Sequence, residues 1–258
     1  MAYPTSLFGP ESLPYTIPAA PVAPGVFTDN TIAQRGRYRL GQQLILGGGK
    51  KFRFALNGGS TLTIGQAIGS AAIIATDIGL TAAAAAVGAR SITFTHGAAT
   101  VVLNYFAEGQ IVNSVTPGLA DTYDIASHAA LTSGGADTVY LQPGQSVRTA
   151  LTTSTRVDLS ASPYASVVVV AATILQTPVG IAITALTSGQ WGWLQTAGPC
   201  GVICTGTMTI GSPAVMLLSG GTAGTPAPAS AATQPVVGRV LVVSATGQAS
   251  TLMLTLDN

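Results

Sequence analysis

Charged side chains are scarce in this chain: Asp, Glu, Lys and Arg make up 7% of its 258 residues, against roughly 25% in an average soluble domain. Its surface must meet water mainly through Thr, Ser, Gln, Gly and backbone groups. Ten basic and nine acidic residues leave a net charge of +1, without the basic excess that nucleic-acid binding normally requires. Disorder over long stretches is also excluded, because it needs low hydropathy and high charge, and the mean hydropathy here is +0.49. Long apolar runs are missing as well. The most apolar stretch, residues 71–89, is interrupted by Asp77 and rich in Ala and Gly, short of the roughly 20 strongly apolar residues of a membrane span. Residues 1–10 have no basic stretch and are broken by prolines, so a signal peptide is not expected. The two cysteines, Cys200 and Cys204, match no zinc or thioredoxin spacing. They read as small buried hydrophobes.

Groups that carry catalysis are equally few. His96 precedes Gly97 and reads as a turn residue, while His128 follows Asp121 and Asp124 within eight positions. An extended chain cannot readily converge three such neighbours, and triads usually draw on distant segments. The run Gly47-Gly-Gly-Lys50 fails the phosphate-loop pattern, since Leu44 stands where a Gly is needed and Lys51 where Ser or Thr is needed. No nucleophile elbow or glycosidase carboxylate pair is recognisable. The expectation is a non-enzyme without metal or cofactor.

What is present begins with proline. Pro4, Pro10, Pro14, Pro18, Pro21 and Pro24 exclude helix and central strand, so residues 1–34 read as an extended arm. Tyr3, Phe8, Tyr15 and Phe27 make it too apolar for a solvated linker, and it is expected to lie along another surface. Next to it, Arg35, Arg37, Arg39, Lys50, Lys51 and Arg53 gather six of the ten basic residues in 19 positions. Residues 35, 37 and 39 would share one strand face. A solvated face, contact with an acidic protein surface, and nucleic acid are the readings; the last is disfavoured because no aromatic platform accompanies the charges.

Short β-branched runs punctuated by Gly, Asn and Pro follow at 8 to 12 residue spacing, the pattern of a sandwich or barrel. Residues 91–95 and 100–104 read as a hairpin, 80–87 as one or two helical turns, and 167–170 with 173–175 as a strand buried on both faces. Separate strands are expected over 191–195 and 201–205. Trp191 and Trp193 share a face, fit for a core or a subunit interface. Residues 219–234 are loop by composition. The fold class is all-β, with β-sandwich or barrel-like domains over 35–165 and 166–258.

Several segments carry a family likeness. They are Pro178-Val-Gly-Ile-Ala, Leu186-Thr-Ser-Gly-Gln-Trp-Gly-Trp-Leu-Gln195, Gly211-Ser-Pro-Ala-Val, Val237-Gly-Arg-Val-Leu and Leu252-Met-Leu-Thr-Leu, with Gly88-Ala-Arg-Ser-Ile-Thr-Phe-Thr, Asn104-Tyr-Phe-Ala-Glu-Gly and Tyr123-Asp-Ile-Ala-Ser-His upstream. In these the chain resembles tailed-phage capsid decoration, or cement, proteins. The resemblance implies an auxiliary head protein on the exterior of the virion, made in the host cytoplasm. Its partners would be the major capsid protein and further copies of itself, commonly as a homotrimer, with no membrane and no direct nucleic-acid contact. A tail or head-fibre component and a non-viral surface or adhesin module are the alternatives.

Overall fold

The computed structural model describes residues 26–27, 38–71, 74–172, 176–217, 219–243 and 248–257. It is nearly all β, as the alternating runs predict. The chain opens with β1 (Val26–Phe27), β2 (Gln43–Leu46), β3 (Lys50–Leu56) and β4 (Ala67–Gly69). Next come β5 (Leu80–Ala82), β6 (Ser91–Thr95), β7 (Gln110–Asn113), β8 (Thr122–His128), β9 (Ala136–Leu141) and β10 (Arg156–Ser160). The last strands are β11 (Val168–Val169), β12 (Pro178–Ala182), β13 (Trp191–Ile203), β14 (Pro213–Val215), β15 (Ala227–Pro228), β16 (Val236–Val242) and β17 (Ala249–Thr255).

Two compact units result, drawn differently from the expected blocks 35–165 and 166–258. Ile73–Ser162 forms one unit, inserted into the other, which combines Met1–Ala72 with Pro163–Asn258. The reason is strand pairing. β3 runs antiparallel to β13, with Phe54 opposite Trp193, so the early hairpin belongs with the C-terminal strands.

The inserted unit is a closed six-stranded barrel in the order β10-β5-β6-β9-β8-β7, every pair antiparallel. Alternation builds its core. Ile92 and Phe94 of β6 point inward to meet Ile111, Ile125, Val139 and Val157, while Thr93 and Thr138 on the other face share a 2.8 Å hydroxyl contact. Two expectations fail here. The alanine run begins as β5 instead of a helical turn, with Thr81 opposite Thr95 and Ala85 bridging Leu151, because the strand pairing that closes the barrel outweighs the high helix propensity of alanine. Residues 91–95 pair with β5 and β9, not with 100–104, of which only Val101 forms a bridge, to Leu131.

In the other unit an 11-stranded sheet is organised on β13. The two strands expected over 191–195 and 201–205 are one strand, β13, which crosses the apparent breakers Gly198 and Pro199. Its register against β3 shifts between Gln195 and Ala197, and Gly198 adopts φ +82, where a Cβ would sit 2.7 Å from the Gly49 carbonyl oxygen. Glycine is the residue that fits both demands. β13 then pairs with β17 from Ala197 to Ile203. The run expected to be a strand buried on both faces reduces to β11, two half-buried residues paired with β4; residues 173–175 lie outside those described. Among the described residues no helix is long and apolar enough to cross a membrane.

Candidate interaction surfaces

Of the arm residues singled out by sequence, Tyr3, Phe8, Tyr15, Arg35 and Arg37 lie outside the described residues. Phe27 is placed through its backbone, opposite Trp191 in the β1–β13 pair. Arg39 is exposed, and its backbone N–H donates to the Gln42 side chain at 3.0 Å. Lys50, Lys51 and Arg53 stand on the β2–β3 hairpin. Phe52 and Phe54 occupy the buried positions between and beyond the charges.

Two of the four described basic residues, Lys51 and Arg53, are engaged within the chain. Arg53 grips Asp257 in a two-pronged contact, Nε to Oδ2 at 2.7 Å and Nη2 to Oδ1 at 2.9 Å, and its Nη1 donates to the Gly41 carbonyl at 2.8 Å. Lys51 Nζ donates to the Asp257 carbonyl at 3.1 Å. Gln43 and Thr196 each donate to Asp257 Oδ2 at 3.2 Å. Hydrogen bonds from Arg53 are the first cause that holds the Asp257 carboxyl below its usual range, against the opposing effect of burial. The partner stands 204 residues away in sequence, which is why the charge run alone reads as free. Arg39 is exposed and Lys50 half-buried.

Trp191 and Trp193 are 4% and 3% exposed, so a core position describes them and a subunit interface does not. Trp191 stacks on Phe54 with centroids 5.4 Å apart and planes 10° apart. Trp193 lies 5.2 Å from Phe54 and 5.3 Å from Tyr38. Leu44 and Phe52 complete this cluster.

Several polar side chains of the barrel unit are engaged within it, while Asp77 Oδ2 and both side-chain polar atoms of Asn113 are buried without a hydrogen-bond partner. His128 is held neutral: its Nδ1 donates to the Ala129 carbonyl at 2.6 Å while Nε2 accepts the Phe106 backbone N–H at 2.9 Å, and burial is the main cause lowering its pKa from 6.5. Asp121 and Asp124 do not join it. Asp121 bonds the Tyr123 hydroxyl and faces Arg148 at 3.3 Å, and Asp124 bonds Gln145 at 2.7 Å. A buried pair that the sequence did not suggest is His96 with Asp77, Nε2 to Oδ1 at 2.8 Å and both side chains at most 1% exposed. Burial pushes the Asp77 carboxyl up. No feature of the sequence around Asp77 marks it, since the pairing is made by tertiary folding. A cleft of 240 Å³ lined by Thr122, Tyr123, Gln145, Ser146 and Arg148 opens in the same unit. Among the described residues no three His, Cys, Asp or Glu side chains gather to hold a metal ion. Cys200 and Cys204 are free thiols facing the core, and burial pushes Cys200 up to about 11.

An apolar surface that sequence inspection missed lies on the outward side of the large sheet. Register aligns Pro213, Arg239, Met253 and Pro199 in one row across β14, β16, β17 and β13, and Val242, Thr251 and Gly201 in the next. In these rows Val242 is 57% exposed and Met253 39%, while Leu241 at the register shift (40%), Val243 (43%) and Ile210 (67%) are exposed outside them. Arg239 is the one charged side chain in these rows. The signal was available in residues 240–243, Val-Leu-Val-Val, where a half-solvated strand would alternate. Set against protein families, curated proteins and solved structures, the chain matches none.

Proposed function

We propose that this chain is a structural protein of a virus particle, a decoration protein that binds the outer surface of an icosahedral phage head and stabilises it. The observation that carries the reading is the set of exposed apolar side chains on and beside β16 and β17, Leu241, Val242, Val243 and Met253, with Arg239 as the one charge in their rows. Exposed patches of this kind mark interaction sites, and in a chain with 7% charge there is little else to keep such a face soluble. Burial of apolar area at about 25 cal/mol per Å², repeated over a lattice where many weak contacts add through avidity, turns the liability into binding energy. The sequence likeness to decoration proteins supports the same reading. So do the exposed Arg39 and the half-buried Lys50 of the β2–β3 hairpin, which can meet an acidic shell surface. The major capsid protein and further copies of this chain, as a homotrimer, are the partners in this reading, and the exterior of the virion is the location.

The test is incubation of the purified chain with expanded, undecorated heads, followed by sedimentation and a measure of head stability to heat and chelator. Saturable co-sedimentation with increased stability is expected. Failure to bind, or binding that leaves the heads no more resistant, overturns the reading.

A further inference from the structure

We propose that the cleft of the inserted unit lined by Thr122, Gln145, Ser146 and Arg148 binds the terminal ring of a neutral sugar chain. The site lies within the barrel unit and stands whether or not the chain attaches to a shell.

The cation at the cleft is fixed before any ligand arrives. The Arg148 side chain is 60% exposed, yet its Nε stands 3.3 Å from Asp121 Oδ1 and its Nη2 donates to the Thr122 carbonyl at 3.1 Å. Its backbone N–H donates to the Tyr123 hydroxyl at 2.9 Å, and that hydroxyl donates in turn to Asp121 Oδ2 at 3.2 Å. The guanidinium carbon sits 5.1 Å from the centre of the Tyr123 ring. A surface arginine normally gives up its rotamer freedom on binding. Here folding has already taken it, and Nη1 makes no hydrogen bond among the described residues.

The loop leading to Arg148 is held in the same way. Gln145 donates to Asp124 Oδ2 at 2.7 Å and accepts the Asp124 N–H at 2.7 Å. Val147 donates its N–H to the Ala89 carbonyl and accepts the Gly88 N–H. Gly144 turns the chain at φ +90, which glycine adopts without strain. Between these anchors stands half-buried Ser146, whose N–H and hydroxyl find no partner among the described residues. Polar groups left over in a rigid loop are satisfied by water or by a ligand.

Charge selects a neutral ligand. Asp121 offsets Arg148, and a second carboxylate, Asp124, is bonded to Gln145. Two acids to one base give a free anion little to gain. A sugar hydroxyl both accepts and donates, as the serine hydroxyl does, so it can take Arg148 Nη1 and the Ser146 N–H as donors and return its own proton to the Ser146 oxygen. The cleft volume of 240 Å³ falls below the roughly 300–1,000 Å³ of a drug-sized site and suits a single six-membered ring. Gly144 and Arg148 are both exposed, which leaves the rest of a sugar chain a way out.

The test titrates the full chain, labelled with nitrogen-15, with the methyl glycosides of glucose, galactose, mannose and N-acetylglucosamine, and follows the backbone amide resonances. At least one glycoside should shift Gly144, Ser146 and Arg148 saturably, with a dissociation constant on the order of 1–10 mM. Arg148→Ala should weaken this about tenfold. Ser146→Ala, which leaves the Arg148 network intact, should weaken it about threefold with unchanged thermal melting. No saturable shift from any of the glycosides up to about 100 mM, shifts that survive both substitutions, binding of the free sugars without the glycosides, or displacement of the glycoside by acetate would each overturn the proposal.

Discussion

Replacing Asp257 by Ala would remove the anchor of the basic hairpin. Asp257 accepts two bonds from Arg53 and one each from Gln43 and Thr196 through its carboxylate, and the Arg53 and Asp257 side chains are 27% and 19% exposed. A hydrogen bond to a charged group contributes about 1.5–3 kcal/mol, and the substitution leaves Arg53 half-buried without a carboxylate, so a loss of about 2–3 kcal/mol is expected at pH 7. The sign of the pH dependence follows from the lowered carboxyl pKa. Folding keeps this proton off more strongly than the unfolded chain does, whose value is 3.8, so the stabilisation is complete above that value and disappears as the pH falls through the lower folded value. Urea unfolding followed by tryptophan fluorescence is the suitable assay, because the two tryptophans, Trp191 and Trp193, lie in the same unit as Asp257. At a slope of about 2 kcal/mol per M, the midpoint should fall by about 1 M or more at pH 7, and the gap between native chain and variant should narrow as the pH drops from 5 toward 2.5. A midpoint within 0.2 M of the native one (about 0.4 kcal/mol at that slope), or a gap that does not change with pH, would refute the reasoning.

Further outcomes follow from the same geometry. Phe54→Ala removes the ring against which Trp191 and Trp193 pack, and should cost about 3–5 kcal/mol with a shifted tryptophan emission maximum; a loss under about 1 kcal/mol in the same urea assay would contradict a buried cluster. In the barrel, neutral His128 accepts the Phe106 N–H, and its lowered pKa makes that stabilisation complete above 6.5 and lost as acid protonates the ring. Hydrogen exchange at Phe106 should therefore accelerate between pH 6.5 and 4.5 beyond the intrinsic trend, and unaltered protection would count against it. Cys200 and Cys204, buried and with Cys200 raised to about 11, should resist iodoacetamide at pH 8 in the native chain and react fully in urea; rapid native labelling would mean the core around them is open.

Much of the fold was legible because single strands obey a local rule. Ile92 and Phe94, or Phe52 and Phe54, announce their inward face through period-two alternation. What local pattern does not encode is which strand pairs with which. The insertion of the barrel within the larger unit rests on Phe54 meeting Trp193 across the sequence, and the continuity of β13 rests on Gly198 fitting beside Gly49. The alanines after β5 show propensity yielding to closure of the barrel. For the interaction surface the balance was poorer. The charges at 50, 51 and 53 were plain, yet their meaning changed once Asp257 was found against Arg53. The apolar face was spelled out in residues 240–243, but an apolar run gives no indication of which side of a sheet is covered until neighbouring strands are placed.

The proposed attachment to a viral shell predicts a difference that imaging records. Particles carrying this chain and particles from which its coding sequence has been removed should differ, in averaged electron images, by density at regular positions on the outer surface of the head, large enough for a 25.8 kDa chain and present at full or near-full occupancy. Heads identical with and without the chain, or density confined to the tail, would contradict the account.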